Sequence, residues 1–279
     1  MTDGSTTPQE GLPVRAIEGN LFAFFSLLRK WSKVEIHDEP ELLWSISDIP
    51  YPLFNSVLRA DLAPGPAEAA IDEALHRCRA RHVPMLWWTS PSTRPADLSA
   101  RLSARGFVAE TARGMALSLK DLGKAPAGPE GLTVDRVTNL ETMAEWCQVL
   151  CEGFEMPRLV GDAMLDLSRA LGLGPDQPLR YYLGRLDGDP VAISSVFLNA
   201  RVAGIHNVTT LSRARRKGVG SVLTYAPLQD AQAEGCQRAI LHASEMVTGV
   251  YRSLGFEEHC PIGQHVWAGD AESTSRPTS

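Results

Sequence analysis

No apolar run in this sequence approaches the roughly 20 residues that a membrane-spanning helix needs. The polar start, 1–10, lacks the apolar core of a secretory signal. Both point to a cytoplasmic chain with no membrane partner. Cysteine is scarce, five residues without paired spacing, which speaks against a disulfide framework and fits a reducing compartment. Cys147 and Cys151 lie on one expected helix, yet no histidine or second cysteine pair accompanies them, so no metal site is expected. Positive charge has no overall excess, the net charge being −6, which argues against general nucleic-acid binding. The phosphate loops Gly-x-x-x-x-Gly-Lys-Ser/Thr and Gly-x-Gly-x-x-Gly do not occur. Acidic residues are missing altogether between Asp189 and Asp230.

That acid-free window holds the stretch around which the chain is organised, His206 to Ser221. Val208, Thr209 and Thr210 have the β-branched character of a strand end. The cations Arg213, Arg215, Arg216 and Lys217 follow, then Gly218 and Gly220, and a helix-like pattern in Val222, Leu223 and Ala226. A strand, a basic glycine-punctuated turn and a helix start can cradle phosphate. Glycine lets the backbone come close to a ligand, the first helical N–H groups lack internal partners, and the helix dipole favours an anion there.

Length and composition are those of a soluble globular chain of about two domains at ~100–200 residues each. Residues 1–12 and 268–279 read as disordered tails, and Leu21–Trp31 as a helix. Strand-like pieces at 34–38, 42–46 and 54–60 precede a helix over 66–82, a strand over 83–89, a helix over 97–105 and one or two strands over 108–119. Residues 121–131 have linker composition. The second half runs strand (132–137), helix (141–154), helix (162–171) and a hairpin (180–186 and 191–198) turned at Asp187-Gly188. A strand (201–210), the basic turn, a helix to about Ala233 kinked by Pro227, a strand (236–243), a helix (248–254) and a last strand or pair (258–267) complete it.

Arg215-x-x-Gly218-x-Gly220 resembles the pyrophosphate loop of the GNAT acyltransferase superfamily. A second signature, Tyr251-Arg252-Ser253-Leu254-Gly255-Phe256, is similar to that superfamily's Tyr-x-x-x-Gly-Phe helix end, and begins 31 residues after Gly220. The order of elements over 130–267 is also similar to the GNAT fold. The resemblance implies an α/β (α+β) class with a mixed, mostly antiparallel sheet flanked by helices. The first half reads as a degenerate copy: Asn55–His82 corresponds in order and length to Asn207–Gly235, and Ser103-Ala104-Arg105-Gly106-Phe107 echoes the second signature. Its loop, Leu62-Ala63-Pro64-Gly65-Pro66-Ala67, has no cation, and its prolines remove backbone donors. The domains expected are a GNAT-like copy at 1–125 and a catalytic domain at 130–267, with an unrelated α/β domain as the alternative for the first.

What the resemblance implies chemically is N-acyl transfer from acetyl-CoA to a primary amine of a small molecule, by a monomer or homodimer. The alternative is a module that holds acyl-CoA without turnover. Val208, Thr209 and Thr210 would meet the pantetheine arm, and Arg215, Arg216, Lys217, Gly218, Val219, Gly220 and Ser221 the pyrophosphate. Tyr251 matches the position that protonates the departing sulfur, with packing against the pantetheine as its plainer role. For the base, His206 lies nine residues before Arg215, where one family member carries a histidine. Others use a glutamate two residues earlier, here Gly204. Imidazole titrates near neutrality, so an ionisation there is expected if His206 acts. A structural histidine, or Glu152 or Glu155 as base, stays open.

Overall fold

The computed structural model describes residues 11–270. In chain order the elements are α1 (Gly11–Ser26), β1 (Val34–Asp38), β2 (Leu42–Ser47), β3 (Ser56–Ala60), α2 (Ala67–Ala80), β4 (Met85–Thr89), α3 (Leu98–Ala104) and β5 (Val108–Ser118). Then follow β6 (Leu132–Arg136), α4 (Leu140–Gly153), α5 (Arg158–Leu171), β7 (Leu179–Leu186), β8 (Asp189–Asn199), β9 (Val202–Thr210), α6 (Val219–Ala233), β10 (Arg238–Ala243), α7 (Thr248–Ser253) and β11 (Glu257–Trp267). The class is the expected one, a mixed and mostly antiparallel sheet flanked by helices.

Contacts divide the chain into two compact units, neither continuous in sequence. The smaller is Ser32–Thr111 with the described residues from Ile262 onward. Its strands pair in the order β1-β2-β3-β4, and the end of β11 lies antiparallel to β4. Here β3 and β4 are parallel, as a helical crossover through α2 requires. Ile71, Ala74, Leu75 and Cys78 of α2 pack into a core with Val57, Met85 and Trp87. The short helix α3 ends at Gly106, φ +85, and Phe107 turns back into this core.

The larger unit contains Ala112–Pro261 and the described residues up to Trp31. Its strand order is β5-β10-β9-β8-β7-β6, antiparallel throughout except for β9 and β10. The β7–β8 hairpin turns at Asp187 and Gly188, both at positive φ (53° and 91°), as a two-residue hairpin of this chemistry demands. One face of the sheet packs on α6 and α7, through Ala203, Ile205, Leu241, Val219, Leu223, Tyr251 and Phe256 among others. The positions that alternate with these, including Gly204 and His206, face the other way, toward α1. Helix α4 is capped by Asn139, whose side chain accepts from the Thr142 amide at 2.9 Å.

One local expectation changes. The N-terminal helix begins at Gly11 rather than Leu21 and gives way to a 3-10 turn at Leu27–Lys30. Ile17, Leu21, Phe25 and Leu28 carry its buried stripe, which extends the helix back into residues read as a tail. The remaining tail expectations, at 1–10 and 271–279, lie outside the described residues. As expected, α6 reaches Ala233 with Pro227 inside it. Proline cannot donate to the carbonyl of Leu223, one turn earlier. The Ser194 hydroxyl of β8, wholly buried, donates to that carbonyl instead, at 2.6 Å.

Candidate acyl-donor site

The end of β9 is shaped by a bulge. Ser195 of β8 stands opposite His206, but Ile193 stands opposite Thr209, so two steps on β8 answer three on β9. Asn207 takes φ +54 there, and its side-chain amide donates to Ser195 Oγ at 3.0 Å, while that hydroxyl donates to the His206 carbonyl at 3.2 Å. The extra residue reverses the alternation beyond it. His206 and Val208 share parity by count, yet Val208 packs with the α6 face. Thr209, not Val208, continues the His206 face, against Gly153 at the end of α4. Thr210 points to Gly220, its Oγ1 3.5 Å from where a β-carbon there would sit.

After a 3-10 turn at Ser212–Ala214 the chain reaches the cationic segment, exposed from Arg215 to Gly218. Arg216 (φ +61) and Gly218 (φ +83) both adopt the left-handed region, and Gly218 is the residue that launches α6. A β-carbon on Gly218 would lie 3.1 Å from the Ala127 carbonyl oxygen, so both backbone angle and space favour glycine. The four cations differ in their ties. Arg213 pairs with Glu152 at 3.0 Å and donates to the Pro190 carbonyl. Arg215 Nε donates to the Thr210 carbonyl at 2.8 Å, pinning the turn to the strand end. Among the described residues no acid pairs with Arg216 or Lys217. The turn therefore presents two free cations beside the first N–H groups of α6.

Tyr251, on α7, is buried in the α6-side cluster with its ring edge-on to Phe256 at 6.2 Å. Desolvation pushes its phenol up to about 12, so it stays protonated through neutral pH. Gly255, φ +94, closes this helix and returns Phe256 to the core.

His206 lies on the opposite face and is not brought to Tyr251. Phe24 of α1 stacks on its ring, centroids 4.2 Å apart and planes 13° from parallel. The residue is partly accessible, yet its Nε2 is sealed from solvent and has no hydrogen-bond partner. Desolvation, with a smaller contribution from His242, lowers its pKa to about 3. The expected ionisation near neutrality is thereby corrected: buried imidazole here is neutral well below pH 6. Glu152 is engaged by Arg213, and Glu155 stands exposed beyond α4 at φ +54.

One contributor could not be seen from motifs. Asn20 of α1, 2% exposed, donates to the carbonyls of Phe197 (3.3 Å) and Val202 (3.5 Å). Its Oδ1 occupies the space of a side chain at 204, 1.9 Å from the β-carbon position. A glutamate at 204 is therefore sterically excluded. The only sequence signal was an amide within the apolar run that ends in Phe24 and Phe25.

A parallel strand pair that opens at a bulge, beside a cationic turn and a helix N-terminus, defines an acyltransferase-type α/β fold. Solved structures agree at the level of fold. The chain is similar to a GCN5-related N-acetyltransferase from Kribbella flavida (TM-score 0.67, 19% identity, 90% of this chain and 95% of that one). It is also similar to one from Sphaerobacter thermophilus (TM-score 0.61, 15% identity, 91% and 93%). A tandem GNAT protein of the clavulanic acid biosynthesis pathway matches over 95% of this chain and 97% of its own (TM-score 0.59, 14% identity). No curated protein sequence matches the chain. Residues 143–256 match the model of the acetyltransferase (GNAT) family.

Proposed function

We propose that this protein is an acetyl-CoA-dependent N-acyltransferase acting on a primary amine of a small molecule, with one working coenzyme A site, in the larger unit. The observation that carries the reading is the turn Arg215–Gly218, with Arg216 and Lys217 paired to no acid among the described residues and Gly218 launching α6 in the left-handed region. Its features suit a pyrophosphate: approachable backbone, unspent helical N–H groups and two exposed positive charges. Val219, Gly220 and Ser221 would contribute the amides, while Val208, Thr209 and Thr210 line the strand end along which the pantetheine would run.

In acyl transfer a neutral amine nitrogen bonds to the thioester carbon, the carbon–sulfur bond breaks, and one proton passes from amine to base while another reaches the thiolate. Tyr251 would supply the second. His206 would accept a hydrogen bond from the amine but, with its pKa near 3, would not retain the proton, which passes on to solvent water. Any activity limb near neutrality then belongs to the amine itself. The smaller unit would be a second GNAT-like copy without a working loop. Its parallel β3–α2–β4 unit followed by a glycine-ended short helix repeats the β9–α6–β10–α7 order of the larger. The rival reading, acyl-CoA binding without turnover, draws support from Phe24 lying over His206. Incubation of acetyl-CoA with a broad panel of amines separates them. Release of free thiol that depends on the amine supports transfer, whereas tight binding of acetyl-CoA with no thiol released by any amine favours the binding module.

A further inference from the structure

The N-terminal helix and β9 bring two buried polar atoms together, each without a hydrogen-bond partner: Asn20 Oδ1 and His206 Nε2. Both converge on one point, the place a β-carbon at 204 would occupy, at 1.9 Å and 2.7 Å. Only glycine leaves that point open. The orientation of the Asn20 amide is set from behind, because its nitrogen faces two carbonyl acceptors, Phe197 O and Val202 O. Its oxygen must then face Gly204 and the imidazole. The ring is held as well, stacked under Phe24. The groups packed around it from other elements are His242 on β10, itself neutral through burial, and the Asn207–Ser195 pair, which bonds the His206 backbone rather than the ring.

We infer that Asn20 is a positioning residue for His206: the two atoms are unpaired as they stand, and a small turn of the imidazole brings Nε2–H onto the side-chain oxygen, which holds the ring in the tautomer whose free lone pair is on Nδ1. A neutral imidazole has one donor and one acceptor nitrogen, and the partner of one decides what the other can do. An amide oxygen accepts only, so the nitrogen facing it must carry the proton. The lone pair offered to an incoming amine is then that of Nδ1. If instead a water donated to both Asn20 Oδ1 and Nε2, the proton would sit on Nδ1 and the ring could only donate to the amine. The inference thus deepens the proposed role of His206 by naming the nitrogen that acts.

Long-range nitrogen–proton NMR of the full chain, labelled with 15N-histidine and measured near pH 7 without any ligand, reads the tautomer directly. The expected result is an Nε2–H tautomer for His206. In Asn20→Leu, and separately in Gly204→Ala, where the added methyl must displace Oδ1, the ratio of Nε2–H to Nδ1–H should fall about fivefold, the factor one ordinary hydrogen bond supplies. An Nδ1–H tautomer in the unsubstituted protein overturns the inference, even if neither variant folds. So does a ratio unchanged in a folded variant. Because no substrate is present, this result stands apart from whether the protein transfers an acyl group.

Discussion

Ser194 and Pro227 form a coupled pair whose energetics can be worked out from the structure. Pro227 leaves the Leu223 carbonyl without its helical donor, and Ser194 Oγ fills the vacancy at 2.6 Å in a wholly buried setting. Ser194→Ala removes the donor and strands the carbonyl, a loss of roughly 1–3 kcal/mol for a buried unsatisfied group. For a protein of this size about 2 kcal/mol is a fall of roughly 4–8 °C in melting temperature. Pro227→Ala restores an amide at 227 that can donate to the same carbonyl. In that background Ser194→Ala should cost far less, and the double-mutant cycle should return a coupling of about 1 kcal/mol or more. Urea titration of the four proteins, followed by circular dichroism, measures it. If Ser194→Ala costs the same with proline or alanine at 227, the hydroxyl does not substitute for the missing amide and the account of how α6 tolerates Pro227 is wrong.

Gly218→Val, which puts a branched side chain at φ +83 and 3.1 Å from the Ala127 carbonyl, should abolish coenzyme A binding by calorimetry; unchanged affinity in the folded variant would refute the cradle. Coenzyme A should bind once per chain, and a stoichiometry near two would show a working site in the smaller unit. With a substrate in hand, Tyr251→Phe should lower kcat by roughly 10²–10⁴-fold with coenzyme A affinity little changed, and a loss under about tenfold would leave the phenol a packing role. His206, lowered to about 3, and His242, lowered to about 4, are buried neutral, so the unfolded chain binds more protons than the folded one below pH ~6.5. Stability from them is complete above that value and declines as the pH falls toward 4. His206→Phe should flatten the melting temperature against pH over that window, and an unaltered slope would mean the imidazole is not desolvated.

Much of this molecule could be read from residues near one another in sequence. The turn at Asp187-Gly188 demanded a hairpin, and the glycines at 255 and 106 ended short helices that return a phenylalanine to the core. The basic turn named its fold family because its geometry is local. The face of the sheet on which each candidate side chain lies was not legible. One extra residue at Asn207 reverses the parity of everything after it, and no local signal separates a bulge residue from its neighbours there. Nor could the partner of His206 be found, since Asn20 and Phe24 lie some 180 residues away in sequence, on a helix whose apolar stripe says only that it packs somewhere. That burial, not the residue type, moves the imidazole out of the physiological titration range.

The division of the chain between units bears on its synthesis. The larger unit needs α1 from the beginning of the chain, and the smaller needs the last strand segment, Gly263–Trp267, against Met85–Thr89. On a ribosome the residues up to Thr111 emerge long before that segment exists, so β4 waits with one edge unpaired until Gly263–Trp267 is made. Severing the chain in the proline- and glycine-rich segment 121–131 would yield no independent half: one fragment would lack the helix that covers Gly204 and His206, the other the strand that completes its sheet. The two units are thus a single translational commitment, in which the segment Gly263–Trp267 completes a sheet whose other strands lie before Pro91.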